Sequence, residues 1–232
     1  MVAICKGSAQ VCAIRVSRLL PNCLHAAGVN NSAASSAIIR MNASPDYSQG
    51  EDFEMKNGCG QLCVTLKNCD QLKRMNLNLE LCLRDAPLIE LLTGATTYTD
   101  GTDIVGYSRR GIGLPCPDSV SVEIWTKAVT TQNNCPPVVL PNGSYLDAQW
   151  WRIIWPKATF TLGDISFANE VATLQLTGFA ENNPNFGDGP WNDVDPLILP
   201  LDPDSPEHMF LDQVGPPQLG CGYTSLPVPA QP

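Results

Sequence analysis

The sequence predicts a mainly β fold: antiparallel sheets able to form a sandwich or barrel, one short α-helix, and extended arms at both ends. Three observations carry this. First, Met75, Leu77, Leu79, Leu81 and Leu83 alternate strictly with Asn76, Asn78, Glu80, Cys82 and Arg84. Successive strand side chains point to opposite faces, so such alternation marks a strand with one buried and one polar face, the antiparallel pattern. Second, only the segment that follows, Asp85 to Gly94, carries helical spacing. Third, eleven prolines lie between Pro184 and Pro232. Proline supplies no N–H, so no central strand or long helix persists there.

Taken in order, residues 1–45 mix short apolar pieces with Ala, Ser and Asn without a period, and read as an N-terminal arm ordered only by contacts. A short strand over Ala37 to Met41 ends it. Core signals begin near residue 60, where Leu62, Val64 and Leu66 alternate with Cys63, Thr65 and Lys67. After the 75–83 strand, Asp85 is placed to cap a helix, Pro87 fits its first turn and Gly94 its C′ position. Leu88, Leu91 and Leu92 form its apolar face.

Residues 93–117 read as a polar loop holding Arg109 and Arg110. Val120, Val122 and Ile124 alternate with Ser121, Glu123 and Trp125 as a further strand. Residues 130–148 read as another loop. Trp150 to Trp155 reads as a strand ended by Pro156, or lying at an edge there. Ala158 to Leu162, Ile165 to Phe167 and Glu170 to Ala180 carry similar patterning. The organisation that follows is an arm over 1–45, a β-rich domain over 46–183, and an acidic, proline-rich arm over 184–232.

Composition narrows the function. The 232 residues are 44% hydrophobic, enough for a packed core. Only 16% are charged, against about 25% in typical soluble proteins, so much of the surface is uncharged polar or covered by partners. The net charge is −9, which argues against a protein whose main task is to grip nucleic acid through Lys and Arg. Charge is also uneven. Lys157 is the last basic residue, and residues 158–232 carry 10 acidic side chains and none basic. Such asymmetry suggests a functional surface or a solvated tail.

The chain holds ten cysteines. No apolar core of a signal peptide and no membrane-spanning stretch is present, so no membrane partner is expected. The cysteines read as buried or half-buried thiols, as metal ligands, or as disulfides formed after release from a cell. Cys59 and Cys63 form the only close pair, with both histidines far away in sequence, which fits a zinc site poorly. Asp193 with Asp195, and Asp202 with Asp204, lack EF-hand spacing for calcium. His25 and His208 read as surface residues. Walker loops, dinucleotide fingerprints and nucleophile elbows are absent. The expectation is no enzyme, no cofactor and no metal. Trp150, Trp151 and Trp155 read as core and interface aromatics rather than a platform for sugars or bases.

Two segments carry a resemblance. Arg74 to Gly94, a strand ending in Asp followed by a Leu-rich helix and Thr-Gly, and Ala168 to Pro190, a final strand running into an Asn-rich, Gly-Pro-rich turn, are similar to the major tail tube proteins of long-tailed, non-contractile (siphovirus) bacteriophages of actinobacteria. The resemblance covers roughly residues 40–195. It implies homohexameric rings stacked into a tail tube, assembled in the host cytoplasm and carried in the virion. It implies tape-measure, tail terminator and distal tail proteins as partners, and DNA passing through the bore without specific binding. On this reading Arg109, Arg110, Trp151, Arg152, Trp155, Trp191, Leu197, Leu199 and Phe210 are the candidate subunit-interface residues, with the C-terminal arm reaching a neighbouring subunit. A capsid decoration or head–tail connector protein is the alternative, and a carbohydrate-binding β-sandwich a further one.

Overall fold

The computed structural model describes residues 6–28, 30–82, 85–101, 103–130, 138–139, 145–146, 150–164, 173–185, 201–217, 219 and 223–225. Its strands are β1 (Lys6–Arg18), β2 (Ser32–Ser35), β3 (Ile38–Ser48), β4 (Asp52–Lys56), β5 (Leu62–Lys67) and β6 (Gln71–Leu81). Helix α1 (Ala86–Thr93) follows, then β7 (Thr96–Asp100), β8 (Asp103–Ser108), β9 (Val120–Thr130), β10 (Val138–Val139) and β11 (Tyr145–Leu146). The last are β12 (Trp150–Leu162), β13 (Leu174–Glu181), β14 (His208–Asp212) and β15 (Tyr223–Ser225). The protein is mainly β and its paired strands are antiparallel.

One nine-stranded sheet dominates, in the order β15-β2-β1-β9-β12-β13-β6-β3, with β14 pairing beside β12. β1 also touches β3, which is not its neighbour in that order. The sheet therefore curls, and the chain crosses from β2 to β3 over Ser36 and Ala37 alone. Inside the curl lies the core: Ile14 and Val16 of β1, Leu77, Leu79 and Leu81 of β6, Val120, Val122 and Ile124 of β9, Trp155 and Phe160 of β12, and Leu174 and Leu176 of β13. Alternation in β6, β9 and β13 thus meets its expected fate.

Helix α1 lies on this core through Leu88, Ile89, Leu91 and Leu92, all buried. Gly94 ends it in the left-handed region at φ 63°, donating its N–H to Glu90 O at 2.8 Å. Asp85 occupies the N-cap position with extended backbone, but its side chain makes no capping hydrogen bond. The expected cap is not formed. Its Oδ2 is buried without a hydrogen-bond partner, and burial raises its pKa above the usual carboxylate value.

Four sequence expectations are corrected. The described residues of the segment 1–45 are not an arm: β1 sits between β2 and β9 inside the sheet. Its period is hidden by two register shifts against β9, between Ala9 and Val11 and between Val11 and Ala13, with Gln10 at φ 51°. Pro156 does not end a strand: β12 runs on to Leu162. Proline is tolerated there because it falls in a gap. β14 pairs with residues 150–154, the pairing with β13 starts only at Lys157, and a register shift against β9 spans Trp155 to Ala158. No ladder partner is left waiting for the missing N–H. Residues 93–117 are not all loop, since β7 and β8 form a hairpin. Finally, the described parts of the C-terminal arm lie on their own chain, β14 against β12 and β15 against β2. Ile165 to Ala172, Trp191, Leu197 and Leu199 lie outside the described residues.

Candidate assembly surface

The hairpin of β4 and β5 continues the β3–β6 pair outward as a two-stranded ribbon. Every residue from Glu51 to Lys73 is exposed. At its base Gly50 N donates to Asp70 Oδ1 at 2.9 Å and Asn68 N to Glu51 O at 3.2 Å. At its tip Asn57 N donates to Gln61 O, and Gly60, at φ 79°, makes the turn that a side chain would strain.

The register decides which face is which. Phe53 stands opposite Leu66 and Met55 opposite Val64, while Asp52 stands opposite Lys67 and Glu54 opposite Thr65. Directly opposed residues share a face. One face of the ribbon is therefore Phe53, Met55, Val64 and Leu66, and the other is largely charged and polar, with Leu62 opposite Lys56 beyond the register shift. Phe53 is 54% exposed and Leu66 58%. Sequence alternation at Leu62, Val64 and Leu66 correctly marks a strand, but its apolar side faces solvent instead of a core. A lone two-stranded hairpin is marginal in water and wants a third layer.

Covering the exposed half of each of these side chains gains about 1 kcal/mol. Four together reach about 4 kcal/mol, no more than the least a single bimolecular contact costs in lost freedom. A partner held by this ribbon alone dissociates readily. The surface suits repeated use in a closed ring or stack, where further contacts follow the first at high effective concentration. A second exposed apolar set lies near by in sequence: Tyr98, Ile104 and Val105 on the β7–β8 hairpin, and Ile112 and Leu114 beyond it.

The candidate residues named from sequence are not gathered at one surface. Arg109 reaches the carbonyl oxygens of Leu162 at 3.1 Å and Gly163 at 2.6 Å, tying its loop to the end of β12. Arg110 Nε donates to Pro115 O at 2.9 Å, closing its own loop. Trp155 is buried in the core, which removes it from any interface or sugar platform. Trp151 and Phe210 are half-buried on adjacent strands β12 and β14.

Arg152 is fully buried and joins a charge cluster that sequence reasoning missed. Arg15 donates to Glu123 through Nε and Nη2, and Arg152 Nε donates to Glu123 Oε2 at 2.9 Å. Arg152 Nη1 also donates to Asp212 Oδ2 at 3.0 Å. Both guanidinium groups lie over the Trp125 ring, at 5.4 and 4.9 Å from its centroid. Two cations and two anions thus neutralise one another on the sheet face opposite the Val120–Ile124 core. Lys157 Nζ likewise meets Glu181 at 3.1 Å. Arg152 and Lys157 thus each meet, within their own chain, an acidic residue of the segment 158–232 that holds no basic residue.

His25 is not on the surface. It is 3% exposed, its Nε2 lies 3.0 Å from Ser121 Oγ, and burial with the nearby Arg15 charge lowers its pKa to about 3. His208 is half-buried, and burial lowers its pKa despite the Asp202 charge. Five of the seven described cysteines, namely Cys59, Cys63, Cys69, Cys82 and Cys116, are exposed and unbridged, which corrects the expectation of buried or half-buried thiols. Among the described residues no group of three or more His, Cys, Asp or Glu is placed to hold a metal ion. Among them, too, no helix is long and apolar enough to cross a membrane.

No protein family and no curated protein matches the chain by sequence. Among solved structures it is similar to a chain of an extracellular contractile injection system, the PVC sheath–tube complex in its extended state, seen by cryo-EM. The identity is 12%, over 78% of this chain and 88% of that one, with a TM-score of 0.24. A likeness of that size adds nothing to what this chain's own strands show.

Proposed function

We propose that the protein is a non-enzymatic structural subunit of a siphovirus-type phage tail, self-assembling as hexameric rings that stack into the tail tube. The observation that carries this reading is the ribbon. It leaves four large apolar side chains uncovered on one face, in a protein whose core is already complete without them. Such a surface is stable only when covered, and its modest energy fits a many-copy assembly. The resemblance of Arg74 to Gly94 and Ala168 to Pro190 to major tail tube proteins supports the same assignment. The low charged fraction fits a subunit with much of its surface in contacts, and the net negative charge fits a bore that phosphates pass without sticking. In this role the partners are copies of the chain, a tape-measure protein within the bore, and terminator and distal tail proteins at the ends. The virion is its place, with no cofactor required.

Negative-stain microscopy and sedimentation of the purified chain test this. Rings or open-ended tubes of uniform width are the expected result. A protein that remains monomeric at high concentration overturns the assignment, and binding to capsids without tubes redirects it to a capsid decoration protein.

A further inference from the structure

Exposed thiols are rare in a folded chain, because free cysteine is among the most buried residue types. Here five described cysteines are exposed, and three of them, Cys59, Cys63 and Cys69, fall on the one ribbon. Cys59 lies in the tip turn, Cys63 in β5 at the register shift opposite Met55 and Lys56, and Cys69 in the bend at the base. Each end of the ribbon therefore carries a thiol. None is bridged to another described cysteine, and all belong to the segment whose apolar face has no cover.

We infer that the ribbon is a covalent locking site between copies of this chain, closed by disulfides among Cys59, Cys63 and Cys69 after the assembly leaves a reducing compartment. This rests on the assembly reading above. The occupant of the apolar face is a second copy. Each copy offers the same four uncovered side chains, Phe53, Met55, Val64 and Leu66, none of them charged, so two like ribbons meet face to face without like-charge repulsion. The non-covalent contact is weak by itself, and a bond that forms only once copies are neighbours makes it permanent without trapping monomers early.

The chemistry is thiol–disulfide exchange. A ribbon thiolate attacks a small-molecule disulfide such as oxidised glutathione, forming a mixed disulfide and releasing one glutathione thiolate. A ribbon thiolate of the neighbouring copy attacks the protein sulfur of that bond and releases the second glutathione. Two protein thiols are oxidised to one disulfide, one glutathione disulfide is reduced to two thiols, and the protons end on these.

The test uses the full chain, first assembled under reducing conditions and then exposed to oxidised glutathione. Non-reducing electrophoresis is expected to show dimers and higher multiples, and peptide mapping to place the bridges at Cys59, Cys63 or Cys69. The triple change Cys59→Ser, Cys63→Ser, Cys69→Ser is expected to lose that ladder, while Cys82→Ser with Cys116→Ser keeps it. Bridges confined within single chains, a ladder that survives the triple change, or no bridging overturns the lock. Microscopy of the reduced sample separates the two ideas. Tubes that form in the reduced sample but gain no ribbon bridges on oxidation sink the lock alone, and absence of any assembly sinks the reading beneath it.

Discussion

Arg152 of β12 and Asp212 of β14 meet inside the protein, Nη1 to Oδ2 at 3.0 Å, with both side chains fully buried. The pair fastens the acidic C-terminal segment to the middle of its own sheet. Because Arg152 also holds Glu123, which holds Arg15, four charges from four strands depend on one another.

Removing Asp212 leaves Arg152 with one carboxylate to share with Arg15. Asp212→Ala is expected to cost about 3–5 kcal/mol, since an uncompensated buried charge is far more expensive than its pair is favourable. Urea denaturation read by circular dichroism checks this. A chain cut after Asn183 loses β14, β15 and Asp212 together. It is expected to melt well below the full chain instead of folding normally, and an unmoved melt overturns the fastening.

The helix offers a contrast between its buried face and its N-cap position. Leu91→Ala is expected to cost about 2–5 kcal/mol by opening a cavity against the sheet. Asp85, by contrast, supplies no cap and is desolvated. Its folded pKa is raised above the unfolded one, so the unfolded state binds fewer protons as pH rises between the two, and stability falls across that window. Asp85→Asn is therefore expected to stabilise the protein at pH 7 and to lose that advantage in acid, below the unfolded pKa. Denaturation midpoints at the two pH values decide it; a loss of stability at pH 7 shows that the carboxylate does cap.

His25 titrates in the opposite sense. Burial first, and Arg15 second, lower its pKa from 6.5 to about 3. Its neutral form is the folded form, so the associated stability is complete above pH 6.5 and is lost as pH falls toward 3. Each unit of the window is worth about 1.4 kcal/mol, so lowering pH from 6.5 to 5 is expected to cost about 2 kcal/mol. His25→Gln removes the titrating group and is expected to flatten that part of the pH–stability curve. A wild-type curve already flat between pH 6.5 and 5 contradicts the burial.

What was legible in the sequence follows from where periodicity survives. Met75 to Leu81, Val120 to Ile124 and Leu174 with Leu176 keep strict alternation because no bulge falls within those stretches, and Leu88, Leu91 and Leu92 keep helical spacing. β1 was hidden because Gln10 and Cys12 sit at register shifts that break its period. β12 was cut short because Pro156 reads as a terminator unless the gap between β13 and β14 is known. The charge cluster was illegible for a different reason. Arg15, Glu123 and Arg152 look like surface residues on three unconnected segments, and only the pairing of β1, β9, β12 and β14 brings them together. The ribbon shows the limit of alternation itself: Leu62, Val64 and Leu66 announce an apolar face, but not what covers it.

That uncovered face yields the sharpest expectation. Phe53 and Leu66 are opposed across the ribbon and more than half exposed, so neither contributes to the core of the single chain. Phe53→Asp with Leu66→Asp is expected to leave the thermal melt of unassembled chain within about 0.5 kcal/mol of the original, as for other exposed positions. Assembly is expected to fail, because each mutant contact buries carboxylates where apolar carbon was to be covered. Glu54→Gln with Asp52→Asn on the opposite face serves as the control. It alters the same strand without touching the apolar surface, and is expected to leave ring or tube formation intact under the microscope. Should the apolar-face variant assemble as well as the control, the ribbon is a decoration of the subunit and the contacts that build the assembly lie elsewhere on the sheet.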